Sequence, residues 1–304
     1  MRTVSKVGLV TVTYNSATVI DAFLQSVRRQ THEAITLYVV DNLSSDGTLS
    51  RIPGSDALPA VVIANDHNAG VAEGNNQGIR AALADGCDAV LLINNDTEFG
   101  PELVATLCSE LSRSGADMIV PKIMYFEPSD TIWCAGGTFR FRRGYSGEHY
   151  GLGELDTGQY DRLRQVEYSP TCCMLVRREV FDRIGEMDPK YFVYFDDTDF
   201  CFRAWKAGLR LVYTPETVLY HKVSALTGGA ETPFSIRYTT RNHVYFLLKN
   251  LGVLGGAFFL PAYFGKICFK QLMARQSRES SLIARRGFVE GLSLYRHLRG
   301  GRTC

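Results

Sequence analysis

A chain of 304 residues with 45% hydrophobic and 21% charged side chains can bury a sizeable core, which excludes a globally disordered polypeptide. The formal net charge of +1 conceals an asymmetry, because residues 244–304 carry ten Lys/Arg against two Asp/Glu, leaving about −7 on the remainder. A mildly acidic body with a basic tail predicts a tail that meets an anionic surface; membrane headgroups and nucleic acid are the two candidates, and we favour the membrane and expect no nucleic-acid partner.

The segment 7–13 (VGLVTVT) is a short, apolar, β-branched run, the pattern of a buried strand. Asn15 and Ser16 break it and can cap a helix on which Val19, Ile20, Phe23, Leu24 and Val27 recur at helical spacing. Residues 36–40 predict a second strand ending on Asp41, and 60–64 a third. A helix is expected over 72–85, then a fourth strand over 89–93 that runs into Asn94-Asn95-Asp96. Pro101 suits the first turn of a helix bearing Leu103, Leu107 and Leu111, and 118–120 reads as a short strand. Such alternation implies an α/β fold with a mainly parallel sheet covered on both faces. Ligands bind such sheets at the carboxyl ends of the strands, where Tyr14-Asn15, Asp41-Asn42 and Asn94 to Asp96 all fall.

From 127 to 170 the pattern loosens into a Gly-rich, aromatic stretch, expected to be an irregular insert over the site. Order returns with a strand over 172–176, a helix over 178–184, a helix over 196–207 stopped by Gly208, and a last strand over 211–213. The uncharged run 251–265 contains Pro261 and is short of the roughly 20 residues a spanning helix needs. The following KICFKQLMAR sets Lys266 and Lys270 against Phe269, Leu272 and Met273, the pattern of a basic amphipathic helix in a membrane interface or of a helical cap on the core. Eight cysteines form no CxxC pair and read as small buried thiols of a reducing compartment. The N-terminal residues enter a strand without a signal peptide's apolar stretch, so a cytoplasmic location, at the inner face of the plasma membrane, is expected.

Three groups of residues carry chemistry. Asp96, at a strand end, offers a hard oxygen to a divalent cation that would stabilise a diphosphate leaving group, and Asn94 and Asn95 could add neutral oxygens; the same residues also suit a turn. Asp196, Asp197 and Asp199 crowd together after five mostly aromatic residues, 191–195. Capping a helix explains one or two acids there, and desolvation with like charge raises a carboxylate pKa as a general base requires. His221 is a metal ligand or a structural histidine, and Asp41 an acceptor for a pyrimidine imide or the start of a turn. No Walker motif is present, and NAGVAEGNN is not a dinucleotide fingerprint.

Six segments in order, VTVTYNS, VVDNLSSDGT, NDHNAGVAEGNNQGI, LLINNDTEF, CCMLVRREVFDRIGEMDPKYFVYFDDTDFCFRAWKAG and YTPETVLYHKVSA, resemble family 2 inverting glycosyltransferases of the GT-A fold, in the rhamnosyltransferase-like branch that builds bacterial cell-surface polysaccharides. The resemblance implies a GT-A, Rossmann-like domain over 1–243, with a nucleotide-binding half to residue 120 and an acceptor half to 243, followed by a helical tail over 244–304. By the same resemblance Thr13, Tyr14, Asn15 and Asp41 line the nucleotide site, Asn68, Gly70 and the residues to Gly74 form a loop beside it, and Asn76 helps close it; Asn95 is counted with these cofactor-binding residues. Asp96 and His221 would hold Mg²⁺ or Mn²⁺, and Asp197, paired with Asp196, would be the general base. Two departures stand out: Asn94 replaces the first acid of the family's D-x-D segment, and Asp196 replaces a Glu. The expected donor is a UDP or dTDP sugar, with dTDP-rhamnose the first guess, and the expected acceptor is a glycan or a lipid-linked glycan. A sugar-1-phosphate nucleotidyltransferase and a non-catalytic membrane scaffold with a degenerate nucleotide pocket are the competing readings.

Overall fold

The computed structural model describes residues 3–52, 59–223, 232–273 and 277–300, with the backbone alone at 270, 271 and 298–300. The Lys270 side chain, Ser224 and Cys304 thus lie outside the described residues. Strands β1 (Val7–Thr13), β2 (Ile35–Asp41), β3 (Ala60–Ala64) and β4 (Ala89–Ile93) alternate with helices α1 (Ile20–Arg28), α2 (Thr48–Arg51) and α3 (Gly70–Ala84). Then come β5 (Thr97–Phe99), α4 (Leu103–Ser114), β6 (Met118–Tyr125), β7 (Ile132–Cys134), β8 (Gly137–Arg140), β9 (Ser146–His149) and β10 (Arg164–Val166). The chain closes with β11 (Cys173–Arg177), α5 (Arg178–Ile184), α6 (Asp196–Lys206), β12 (Leu211–His221), α7 (Pro233–Leu272) and α8 (Arg278–Gly300).

One sheet dominates, in the order β10-β12-β6-β11-β4-β1-β2-β3. Along this path only β10 and β11 run against the other strands, so the sheet is mostly parallel, as the alternation implied. Alternate residues of β1 serve opposite faces: Val10 packs with Ile79 of α3 and Phe200 of α6, while Leu9 packs with Phe23 of α1 and Leu107 of α4. Both faces are therefore dry, and polar groups concentrate at the strand ends.

The structure differs from the sequence pattern where long-range pairing overrides local signals. β6 and β12 run well beyond the short strands expected. Pro121 and Pro215, which end the apolar patterns, lie where the β6–β12 ladder slips register between Thr214 and Val218, a place that tolerates a missing donor. Helix α1 has no side-chain cap from Asn15 or Ser16; Asn15 instead adopts φ 52° and turns its side chain to the Ser45 amide. Helix α3 already begins at Gly70, so residues 70–74 form its first turns rather than a loop. The 127–170 stretch is partly regular, with β8 and β9 paired as their own two-stranded sheet. Of the cysteines, Cys87, Cys108, Cys134, Cys172, Cys173 and Cys201 are buried free thiols and Cys268 is half-buried.

Helix α7 starts at Pro233 and is interrupted at Gly252 (φ 70°, ψ −172°), with Pro261 further along. The His243 and Tyr263 rings lie 4.6 Å apart, whereas twenty positions of straight helix would separate them by about 30 Å. The arms 233–251 and 253–272 are thus folded back on each other. Val244, Leu248 and Ile267 share one small core with Ala284 and Phe288 of α8.

Candidate active site

Three clusters meet at the carboxyl edge of the parallel strands. At the first, β4 ends in Asn94 and turns through Asn95-Asp96 into β5, which pairs antiparallel with the end of β12 so that Thr97 faces His221. The Lys222 amide also donates to the Asp96 carbonyl at 2.9 Å. This pairing explains why residues 125 positions apart meet: Asp96 Oδ1 lies 3.2 Å from His221 Nε2, and both side chains are buried. Asn95 Nδ2 donates to the Val12 carbonyl at 2.5 Å, tying β4 to β1. Asn95 Oδ1 and His221 Nδ1 are buried without a hydrogen-bond partner, whereas Asn94 is exposed.

The donor set fits a hard divalent cation only in part. A buried carboxylate beside an imidazole, with an orphaned amide oxygen next door, is an oxygen-rich environment of the right type. Among the described residues no group of three or more His, Cys, Asp and Glu gathers as a metal site, so further ligands would have to come from the substrate.

The second cluster centres on Asp41. Asp41 is buried, and its Oδ1 accepts from Thr13 Oγ1 at 2.7 Å and Ser44 Oγ at 2.6 Å, while Oδ2 accepts from the Ser44 amide at 2.9 Å. Thr13 and Asp41 are register partners of β1 and β2, so the pair is fixed by the ladder itself. Tyr14 is exposed beside it. Asn68 Oδ1 accepts from the Gly70 amide at 3.0 Å, just ahead of α3. Asn76 uses both ends of its amide on the Met187 backbone, at 2.8 and 2.9 Å.

The third cluster holds the acids. Phe192 (φ 65°), Tyr194 (φ 63°) and Phe195 (φ 67°) occupy the left-handed region, at a cost of about 1–3 kcal/mol each. Outside groups hold them there. Asn242 of α7 donates to the carbonyls of Tyr191, Val193 and Tyr194 at 2.7–2.9 Å. Arg241 reaches the Tyr191 carbonyl at 2.6 Å, and the Val71 amide reaches that of Phe192 at 2.6 Å. Gly70 (φ 83°) permits this approach, because a Cβ there would sit 2.5 Å from the Phe192 ring.

That strained bend delivers three acids with different fates. Asp199 is fully buried and paired with Arg203, Lys249, Asn250 and Tyr191, so it ties α6 to α7. Asp196 is buried, and burial plus the neighbouring Asp197 push its carboxyl well above the usual carboxylate range. Asp197 is partly exposed; burial raises its pKa, opposed by hydrogen bonds from the Thr198 amide and hydroxyl and from Tyr168 Oη, the last at 3.1 Å.

Aromatic residues join the first cluster to the third. Trp133 presents its ring edge-on to His221 at 4.5 Å and to His149 at 4.9 Å, and His149 lies 5.8 Å from the Tyr168 ring. Burial lowers the His149 pKa, and its Nδ1 pairs with the Trp133 carbonyl at 3.1 Å. Sequence reasoning missed Trp133, His149, Tyr168, Arg241 and Asn242. The aromatic, Gly-rich texture of the insert was the sole signal for the first three, and it named no residue.

Residues 9–185 match the model of Glycosyl transferase family 2. The chain is 29% identical over 240 residues to the N-acetylglucosaminyl-diphospho-decaprenol L-rhamnosyltransferase of Mycobacterium tuberculosis, covering 70% of this chain and 75% of that one. It is 23% identical over 262 residues to the dTDP-rhamnosyl transferase RfbF of Shigella flexneri, covering 81% of each. In fold it is similar to GalNAc-T7, solved with UDP, GalNAc and Mn²⁺ (TM-score 0.62, 15% identity, 80% of this chain and about half, 48%, of that one). A mannosyltransferase of Pyrobaculum calidifontis, solved with GDP-Man and Mn²⁺, also aligns (TM-score 0.56, 16% identity, 98% of this chain and 83% of that one). The mostly parallel sheet is that of the GT-A fold. With more than half of its length matched by the family's model, the chain belongs to glycosyl transferase family 2.

Proposed function

We propose that this glycosyltransferase moves a sugar, with inversion, from a UDP or dTDP donor to a lipid-linked or free glycan in cell-envelope polysaccharide synthesis. The observation that carries the reading is the strained, externally braced bend that holds the acid pair Asp196-Asp197, linked through Tyr168, His149 and Trp133 to the Asp96–His221 pair. Strain of that kind persists only where the surroundings enforce it, and functional sites are where it concentrates.

Asp197 is the acceptor's base: it is the more open of the two raised acids, and Tyr168 and Thr198 fix its carboxylate. It removes the proton from the acceptor hydroxyl as that oxygen attacks the anomeric carbon. The bond to the diphosphate oxygen breaks on the opposite side, and the nucleoside diphosphate departs with the electron pair. Asp196 sets the charge environment of Asp197. Thr13, Tyr14, Asn15 and Asp41, with Asn68, Gly70, Asn76 and Asn95 shaping the walls, form the nucleotide side. Asp96 and His221 would hold Mg²⁺ or Mn²⁺, which when bound offsets the charge of the leaving diphosphate. With Asn94 in place of an acid, the protein contributes little negative charge to that ion, so its binding is expected to depend on the donor's diphosphate. Rhamnose from dTDP-rhamnose is supported by the two rhamnosyltransferase relatives, and a polyprenyl-diphosphate acceptor by the name of the mycobacterial one. Contact of the C-terminal region with the inner face of the membrane would bring that acceptor to the site.

The test is a panel of UDP and dTDP sugars, with and without Mn²⁺, offered with a polyprenyl-diphosphate N-acetylglucosamine. Release of nucleoside diphosphate with a glycosylated lipid is expected, strongest with dTDP-rhamnose. Release of pyrophosphate from a nucleoside triphosphate and a sugar phosphate instead would overturn the reading.

A further inference from the structure

Helix α7 contains a stretch long and apolar enough to cross a membrane by length and composition, with mean hydropathy 1.5 and 11% of its best window buried. The fold-back at Gly252 argues against a crossing. The second arm packs against α8, with Phe288 lying 6.3 Å from Tyr263 and 5.1 Å from Phe264. Neighbouring residues of α8 include Arg285, Arg286 and Glu290. A spanning arm would draw those charges into hydrocarbon or tear the arm from its partner, both unfavourable.

The outer side of the arm is a different surface. Leu254 (88% exposed), Phe258 (67%), Phe269 (53%) and Leu272 (82%) recur at positions 0, 4, 15 and 18, one face of a helix, while Ile267 is turned inward. No charged residue occurs between 253 and 265, and exposed Lys266 follows. A second element joins this face from far away in sequence. In the turn between β8 and β9, Phe141 is 53% exposed and sits 6.4 Å from Phe258 and 5.3 Å from Phe259. Exposed Arg142 and Arg143 come directly after it.

Apolar side chains rimmed by guanidinium and ammonium groups complement a bilayer interface that contains anionic lipid. We propose that the outer face of the 253–272 arm and the Phe141-Arg142-Arg143 turn form one membrane-docking surface, which holds α7 in the plane of the bilayer rather than across it. The proposal rests on the lipid-linked acceptor read above and adds a coupling to it. The hairpin that touches the membrane through Phe141 also carries Gly147, where a Cβ would meet the Tyr168 ring at 2.4 Å, and Tyr168 donates to Asp197. Docking and orientation of the base thus share one hairpin.

The experiment uses the full chain with vesicles of phosphatidylcholine, with and without phosphatidylglycerol, read by co-sedimentation. Wild type should bind the anionic vesicles, and the pair Phe141→Ser with Phe258→Ser should weaken binding roughly tenfold or more. Arg142→Glu with Arg143→Glu should remove the preference for anionic lipid and its salt sensitivity. A Phe258→Trp probe should be quenched by lipids brominated near the headgroup and not by those brominated near the chain ends. Binding unchanged by both pairs, quenching from the bilayer centre, or a dimer in solution that the Phe pair abolishes would each overturn the proposal. Hydrolysis of the nucleotide sugar in vesicle-free solution is followed in parallel and should be retained by both pairs. Its absence in wild type that still docks would sink the catalytic reading alone.

Discussion

The two sides of the site are built on different principles. The proposed nucleotide side stands on the regular β1–β4 ladder, and at its centre Thr13, Asp41 and Ser44 satisfy one another across one register pair. The acid side stands on a bend that its own sequence disfavours, with Phe192, Tyr194 and Phe195 all at positive φ, and is held by Asn242, Arg241 and Val71 from elsewhere. A side made of local contacts tolerates loss of distant ones. A side made of distant contacts fails when any brace is removed, even one far from substrate.

The sharpest way to break this contrast is at Asp197. Asp197→Asn should lower transfer by roughly 10²–10⁴-fold while nucleotide binding stays near wild type, because the hydrogen bonds that Asp197 accepts come from Tyr168 and Thr198 and from none of the residues placed on the nucleotide side. Parallel loss of binding, read by calorimetry, would mean that the sides are not separable. Asn242→Ala removes the side-chain donor from the Val193 and Tyr194 carbonyls of the bend and leaves that of Tyr191 to Arg241. It should destabilise the protein by about 1–3 kcal/mol and reduce kcat more than it raises the donor KM. Denaturant unfolding and steady-state kinetics measure both.

His221→Ala should raise the Mn²⁺ concentration for half-maximal activity roughly tenfold or more, with a smaller effect when donor is saturating. Tyr168→Phe removes a hydrogen bond that lowers the Asp197 pKa. The base then titrates higher, so the acid limb of kcat/KM should move to higher pH and activity should recover in alkaline buffer. A uniform loss at every pH would assign Tyr168 to packing alone. The smallest effect concerns stability. Asp196 has a folded pKa raised above its usual 3.8, so its contribution is fully present below that value and is lost as pH rises through the folded pKa. Asp196→Asn should therefore raise Tm at pH 7–8 and leave it nearly unchanged near pH 3; scanning calorimetry across pH reads the difference.

The same division governs what the sequence made legible. Strands β1 to β4 and the residues at their ends were readable because β-branched runs and turn residues are local signals, and the sheet obeys them. Asp199 could not be told from Asp196 and Asp197, since its four partners include Lys249 and Asn250, some fifty positions away. His221 was legible as a metal or structural histidine, but its place beside Asp96 depends on β5 pairing with β12, which no local pattern specifies. Trp133, His149 and Tyr168 stayed hidden because the insert's glycines broke periodicity, although Gly147 makes room for the Tyr168 ring and Gly137 for the Glu148 carbonyl. The run 251–265 read as too short to span a membrane, and nothing local showed that helix extends on both sides of it or that the chain bends at Gly252.

The most direct measurement of the central claim compares wild type and Asp197→Asn in two assays on the same samples: sugar transfer from the active donor, and binding of that donor with Mn²⁺. Transfer reduced at least a hundredfold, with binding within about threefold of wild type, is the predicted result. Transfer that persists in Asp197→Asn would contradict it and take the base away from this acid.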